Sequence, residues 1–284
     1  MLKKRVIARL DIKGPNLVKG IHLEGLRVMG DPAEFAKMYY LEGIDELFYM
    51  DVVASLYERN GLTELVSKTA KEIFIPLTVG GGIRSLADIK QALRAGADKV
   101  CINTGAVKSP ELIRQASESY GSSTIVAAIE CVKQSNGKYF AVVDNGREET
   151  GLEVLEWAQK LVHIGVGELV ITSVDREGTG EGLDLDLINL ISRKVPVPVV
   201  AHGGVGKISD VVAGYKAGAD AVAIASVLHY QALANGKVSR DQKREEGNTR
   251  FLSENRSFAK ITPISLAEIK AGILAAGFPV RTLV

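Results

Sequence analysis

"TVGGGIRS" at residues 78 to 85 returns at 200 to 209 as "VAHGGVGKIS", and each copy runs through a helical stretch into the phrase "AGAD". The segments beyond repeat too: "AGADKVCINTGAV" at 95 to 107 is echoed by "AGADAVAIASVL" at 217 to 228. Similarity at half the chain's length is the mark of a duplicated architecture. Asp11 is matched in the second half by Glu130, and Asp51 by Asp175. Around these copies, eight short apolar runs alternate with longer helical patterns. They lie at 5 to 11, 46 to 51, 75 to 79, 99 to 102, 124 to 130, 168 to 173, 197 to 201 and 221 to 224. Such alternation predicts a parallel sheet wrapped by crossover helices. Eight units made of two equal halves predict a closed α/β barrel, (β/α)8, since an open doubly wound sheet would not pair strand three with seven and four with eight.

The length of 284 residues fits one such barrel, which needs about 250. A single barrel over 1 to 284 is therefore expected. It carries a polar insertion at 232 to 262, with seven Lys/Arg against four Asp/Glu, and a last helix and tail over 265 to 284. The insertion, which includes "EGNTRFL", reads as a solvated excursion or as a cover over the barrel mouth. The last helix opens with "SLAE", a capping box of Ser265 and Glu268, and is expected to turn Leu266, Ile269, Ile273 and Leu274 to one face.

Bulk properties narrow the function classes. With 35 basic and 34 acidic side chains the net charge is +1, which gives no ground for a nucleic-acid partner. No segment reaches the ~18 uninterrupted apolar residues of a membrane span. The opening "MLKKRVIARLD" enters a strand pattern directly, so a cytoplasmic protein is expected. Cys101 and Cys131 lack disulfide or metal spacing and read as buried thiols, and no motif suggests a metal or redox cofactor. Of the four histidines, His202 and His22 fall beside the expected site, while His163 and His229 read as surface or loop residues.

Chemistry in such a barrel belongs at the C-terminal strand ends. A phosphate monoester needs converging backbone N–H donors, and glycine lets the chain approach closely enough to supply them. One cradle is expected from Gly81 and Gly82 after strand three with Asn103 and Thr104 after strand four. The second is expected from Gly203 and Gly204 after strand seven with Ala225 and Ser226 after strand eight. Asp11 and Glu130 should face one another between the cradles, as a general acid and a general base. Lys19, on the first loop, is placed to reach a phosphate or carboxylate of the substrate.

These residues resemble the cyclase subunit of imidazole glycerol phosphate synthase, the HisF-type barrel that partners a glutaminase in histidine biosynthesis. The likeness runs from residue 1 to about 230 and resumes in the last helix. It implies that Asp11 and Glu130 are the acid/base pair. It places phosphate binding on Gly82, Asn103 and Thr104 at one end, and on Gly178, Gly204, Ala225 and Ser226 at the other, with Glu177 beside Gly178 in "DREGT". It also implies a HisH-like glutaminase docked at the N-terminal face, passing ammonia through a ring of Arg5, Glu46, Lys99 and Glu168, with Asp98 at the interface.

Three features depart from the cyclase pattern. Glu130 and Glu177 replace aspartates, the first loop reads "DIKGPNLVKGIHLEGLRVMGDP", and the polar insertion is additional. One methylene moves a carboxylate by roughly 1 Å, enough to matter where proton transfer needs tight positioning. The departures resemble a paralogous branch associated with surface-polysaccharide genes, thought to support amidation of a sugar by a separate amidotransferase. A phosphoribosyl isomerase shares the half-barrel repeat, and the charged ring argues against it.

Overall fold

The first strand sets the pattern for the barrel. Val6, Ala8, Leu10 and Ile12 enter the core shared with the surrounding helices, whereas Ile7 joins Phe48, Val126, Val170 and Val200 in a separate cluster inside the barrel. Two-residue alternation thus leaves Arg5, Ile7, Arg9 and Asp11 on the inner face. The computed structural model describes residues 2–54, 62–236, 238 and 260–282.

Strand β1 (Arg5–Lys13) leads into an antiparallel hairpin, β2 (Asn16–Ile21) and β3 (Glu24–Gly30). Then come β4 (Glu46–Asp51), β5 (Leu77–Gly80), β6 (Lys99–Ile102) and β7 (Ile125–Lys133). A second antiparallel extension, β8 (Tyr139–Val143) and β9 (Glu148–Glu153), rises from β7. Strands β10 (Glu168–Ser173), β11 (Val199–His202) and β12 (Ala221–Ile224) complete the set. The eight expected strands pair in parallel, in chain order, and β12 returns to β1 with Ala221 opposite Arg5, closing the barrel. The described α-helices are α1 (Pro32–Leu41), α2 (Thr63–Ala70), α3 (Leu86–Ala95), α4 (Thr104–Lys108), α5 (Pro110–Tyr120), α6 (Val154–His163), α7 (Leu185–Ser192), α8 (Ile208–Lys216), α9 (Ser226–Ala234) and α10 (Leu266–Ala275), with one 3-10 turn at Ser122–Thr124.

Duplication extends to single hydrogen bonds. The aspartate of each "AGAD" accepts the first N–H of the preceding strand: Asp98 from Leu77 at 2.9 Å and Asp220 from Val199 at 3.0 Å. Both of those strands begin two residues later than the apolar runs suggested, at 77 and 199. Pro76 and Pro198 precede them and have no N–H to donate to a ladder. Register also corrects one pairing. Met50 lies opposite Gly80 as Thr172 lies opposite His202, so the counterpart of Asp51 is Ser173, not Asp175.

Helix α10 has the predicted box, with Ser265 accepting from the Glu268 N–H and Glu268 from the Ser265 N–H. Leu266, Ile269 and Ile273 are buried, but Leu274 is 45% exposed, because it sits ~100° round the helix from Ile273. His229 is fully buried rather than in a loop, stacked on Tyr39 and hydrogen-bonded to its hydroxyl at 2.7 Å, while His163 is exposed as expected. Of the insertion expected at 232 to 262, the first residues finish α9, with Ala232 and Leu233 buried. Residues 237 and 239 to 259, and with them "EGNTRFL" and a cover over the mouth, lie outside the described residues.

Candidate active site

At the N-terminal end of the barrel, Arg5, Glu46, Lys99 and Glu168 form one closed ring. Arg5 donates to Glu46 at 2.7 Å and also to Glu168, and Lys99 donates to Glu46 and Glu168 at 2.8 Å each. Thr78 Oγ1 adds a bond to Glu46 at 2.8 Å. Burial alone would depress the Arg5 pKa, but Glu168 and Glu46 outweigh it and raise it. Asp98 stands outside the ring, exposed, with its carboxylate on the Leu77 N–H.

At the opposite end a cavity of about 280 Å³ opens among Gly81, Gly82, Asn103, Thr104, Glu130 and Arg9. Its glycine corner needs glycine. Gly81 has φ +97°, and a Cβ there would meet the Asp51 carbonyl oxygen at 2.2 Å. Gly203 repeats that φ in the second half, packed on the Ser173 carbonyl. The helices beyond the two corners start alike. Asn103 (φ −117°, ψ −88°) and Ala225 (φ −124°, ψ −81°) precede α4 and α9, and neither helix has a side-chain cap. Each leaves backbone N–H groups in its first turn for an anion.

Glu130 ends the inner face of β7, with Asn103 Nδ2 donating to it at 3.2 Å. Burial pushes its carboxyl up to about 7. Arg9 pulls it down, whereas Asp11, Glu177 and Asp144 push it up. Asp11, across the barrel, does not face an open site: Arg9 Nε donates to it at 2.8 Å. Arg9 is the residue that reading for motifs missed. It is 2% exposed, points inward, and also reaches His202 Nδ1 at 3.2 Å.

The second corner is tighter, a cleft of about 20 Å³ bounded by Lys19, Glu177, Gly178, His202, Gly203, Gly204, Ala225 and Ser226. Lys19, buried, donates to Glu177 and to the Gly20 carbonyl at 2.9 Å. The other Glu177 oxygen accepts the Leu23 N–H at 2.9 Å, and its carbonyl accepts the His22 N–H at 2.9 Å. His22 and Leu23 both have positive φ at the tip of the β2–β3 hairpin, so Glu177 secures a turn that glycine would otherwise favour. The expected Lys19 thus stands at the second glycine corner, paired with Glu177.

Both cysteines are free and buried, and burial raises Cys101 to about 12 and Cys131 well above its usual value. Among the described residues no helix is long and apolar enough to cross a membrane.

Fold and site define a half-barrel-duplicated (β/α)8 protein with twin glycine corners and two acidic side chains at one end. Residues 5–234 match the family described as histidine biosynthesis protein. Over 210 residues the chain is 54% identical to the imidazole glycerol phosphate synthase subunit HisF of Legionella pneumophila, an alignment covering 74% of this chain and 99% of that protein. It is 43% identical over 263 residues to the subunit of the same name from Lactococcus lactis subsp. cremoris strain SK11, covering 92% and 98%. The chain belongs to this histidine biosynthesis family, among the HisF subunits of imidazole glycerol phosphate synthase.

Proposed function

We propose that the chain works, as one barrel over residues 1 to 284, as a cyclase-type lyase in which ammonia adds to a bisphosphorylated ribosyl imidazole precursor, the precursor is cleaved with its ribosyl imidazole half leaving as an amine, and the remaining fragment closes a ring with loss of water. One observation carries this reading: two anion corners of matching backbone geometry flank a carboxyl whose pKa is about 7. A span between two phosphates holds the reacting centre over Asp11 and Glu130. A group with a pKa near the working pH both gives and takes a proton effectively. In this scheme Glu130 exchanges the proton and Asp11 serves as the acceptor opposite. Gly81, Gly82, Asn103 and Thr104 hold one phosphate, and Lys19, Gly178, Gly203, Gly204, Ala225 and Ser226 the other, with Glu177 orienting Lys19.

Ammonia enters from a HisH-like glutaminase at the N-terminal face, past Arg5, Glu46, Lys99 and Glu168. Leu2 before β1, Leu41 at the end of α1 and Phe74 ahead of β5 lie on the side of the barrel where strands begin and are exposed by 90, 66 and 80%, which suits a partner there. Asp98 lies on the same face. A cytoplasmic setting fits a small phosphorylated substrate. Turnover of the bisphosphorylated precursor with free ammonium salt is expected from the isolated chain. A folded sample without turnover contradicts the cyclase reading.

Arg9 favours one second reading. A buried guanidinium among the inner side chains, with Glu130 at the acid position, suits a paralogous barrel that conducts ammonia to a sugar amidotransferase in surface-polysaccharide synthesis. Co-purification with an amidotransferase together with absent cyclase turnover supports it, and cyclase turnover of ordinary rate sinks it.

A further inference from the structure

Arg9 sits where the inner faces of several strands meet. From β1 its guanidinium reaches Asp11 on the same strand and His202 on β11, and its charge acts on Glu130 at the end of β7 and on Cys101 of β6. The chemistry of each contact is fixed, because a guanidinium only donates and remains charged at any working pH. Asp11 must then accept. His202 Nδ1 must accept as well, at 3.2 Å from Arg9 Nη1 and 3.1 Å from Thr172 Oγ1, so it carries no proton. A neutral imidazole with a bare Nδ1 has its proton on Nε2. His202 borders the cleft of Gly203, Gly204 and Ser226, where such an N–H is a donor to an anion.

We propose that Arg9 is a positioning residue. It holds Asp11 as an acceptor-only carboxylate and fixes His202 as a neutral ring protonated at Nε2, assigning His202 as a donor to the phosphate at the second glycine corner. This deepens the reading of that corner as a phosphate site, while the tautomer itself rests on geometry alone.

The neighbouring charges agree with this role. Burial, and after it the facing cations Arg9 and Lys19, hold the His202 pKa well below the usual value, so the ring stays neutral. Glu130 faces Arg9, Asp11, Glu177 and Asp144, with the Asn103 amide as its hydrogen-bond donor. Arg9 is the cation among those charges, which makes it the group that keeps Glu130 within reach of neutral pH instead of above it.

The test is ¹⁵N NMR of the imidazoles in the full chain without substrate, with H202Q assigning the signal. Removal of His22, His163 and His229 in turn assigns it by elimination if H202Q does not fold. The expected spectrum shows an unprotonated Nδ1 and a protonated Nε2 on His202, unchanged across about pH 5 to 8. In Arg9→Met, and in Arg9→Lys as the milder change, the Glu130 carboxyl midpoint moves up, by about one unit or more for the methionine. With inorganic phosphate added, the His202 Nε2 signal shifts in the wild type. A protonated Nδ1, an imidazolium at neutral pH, or a His202 signal indifferent to saturating phosphate overturns the proposal. Loss of cyclase turnover with the tautomer intact would count against the cyclase reading alone.

Discussion

Replacing Glu130 by glutamine removes an ionisable group while keeping its shape, and the structure gives the size of the effect on stability. The folded protein holds this carboxyl at about 7 instead of the ordinary 4.5, chiefly through burial, and Arg9 offsets only part of that. The proton is therefore bound more tightly in the folded chain than in the unfolded one. Stability is full below the unfolded midpoint and declines as pH rises through 7. A displacement of this size corresponds to about 3 kcal/mol once ionisation is complete. Glu130→Gln should match the wild type at pH 4.5 in urea unfolding and gain stability between pH 5 and 7. It should be more stable by about 3 kcal/mol at pH 8, while losing cyclase turnover. Equal stability of the two proteins at pH 8, or a less stable variant, would show that Arg9 compensates the buried charge in full and that Glu130 is an ordinary carboxylate.

Gly81→Ala places a methyl 2.2 Å from the Asp51 carbonyl oxygen at φ +97°, so it should cost about 2 kcal/mol or more and abolish phosphate binding at the first corner, read by calorimetry. Gly203→Ala, 2.7 Å from the Ser173 carbonyl, should do the same at the second corner only. Glu46→Gln leaves Arg5 and Lys99 sharing one carboxylate, and because those cations are 28 and 18% exposed the loss in urea unfolding should be about 1–3 kcal/mol, below that of a fully buried pair. Cys101, raised to about 12 and buried, should resist a thiol reagent at pH 8 in the folded protein and react once unfolded.

The barrel is legible in the sequence because its signals are redundant: eight runs, two "AGAD" phrases and two glycine corners repeat one another, and the structure reproduces them down to the φ of Gly81 and Gly203. The ring of Arg5, Glu46, Lys99 and Glu168 assembles from positions that the resemblance supplied, and no local pattern predicts a contact across four strands. The extension of β8 and β9 is hidden although "NGK" at 136 to 138 and "DNG" at 144 to 146 are turn signals of the kind that joins antiparallel strands, and the β2–β3 hairpin turns at His22 and Leu23, which give no such signal. A barrel rhythm pairs each helix with the one strand before it, and here two extra strands stand between a barrel strand and its helix: β2 and β3 before α1, β8 and β9 before α6. Arg9 is hidden for another reason. Apolar neighbours mask it within "RVIARLD", yet its even spacing, four residues from Arg5 and two from Asp11, puts all three on one face of a strand. Leu274 and His229 are misplaced by pattern alone because helical spacing fixes neighbours on one helix and not the depth of the groove that receives them.

Two separate anion corners flanking the acidic pair are the feature on which the proposed chemistry depends. A crystal of the full chain soaked in inorganic phosphate should show one tetrahedral peak on the first turn of α4 beside Gly82, and a second on the first turn of α9 beside Gly204, Lys19 and His202. Phosphate at neither corner, in a crystal whose barrel matches the fold described, would contradict it.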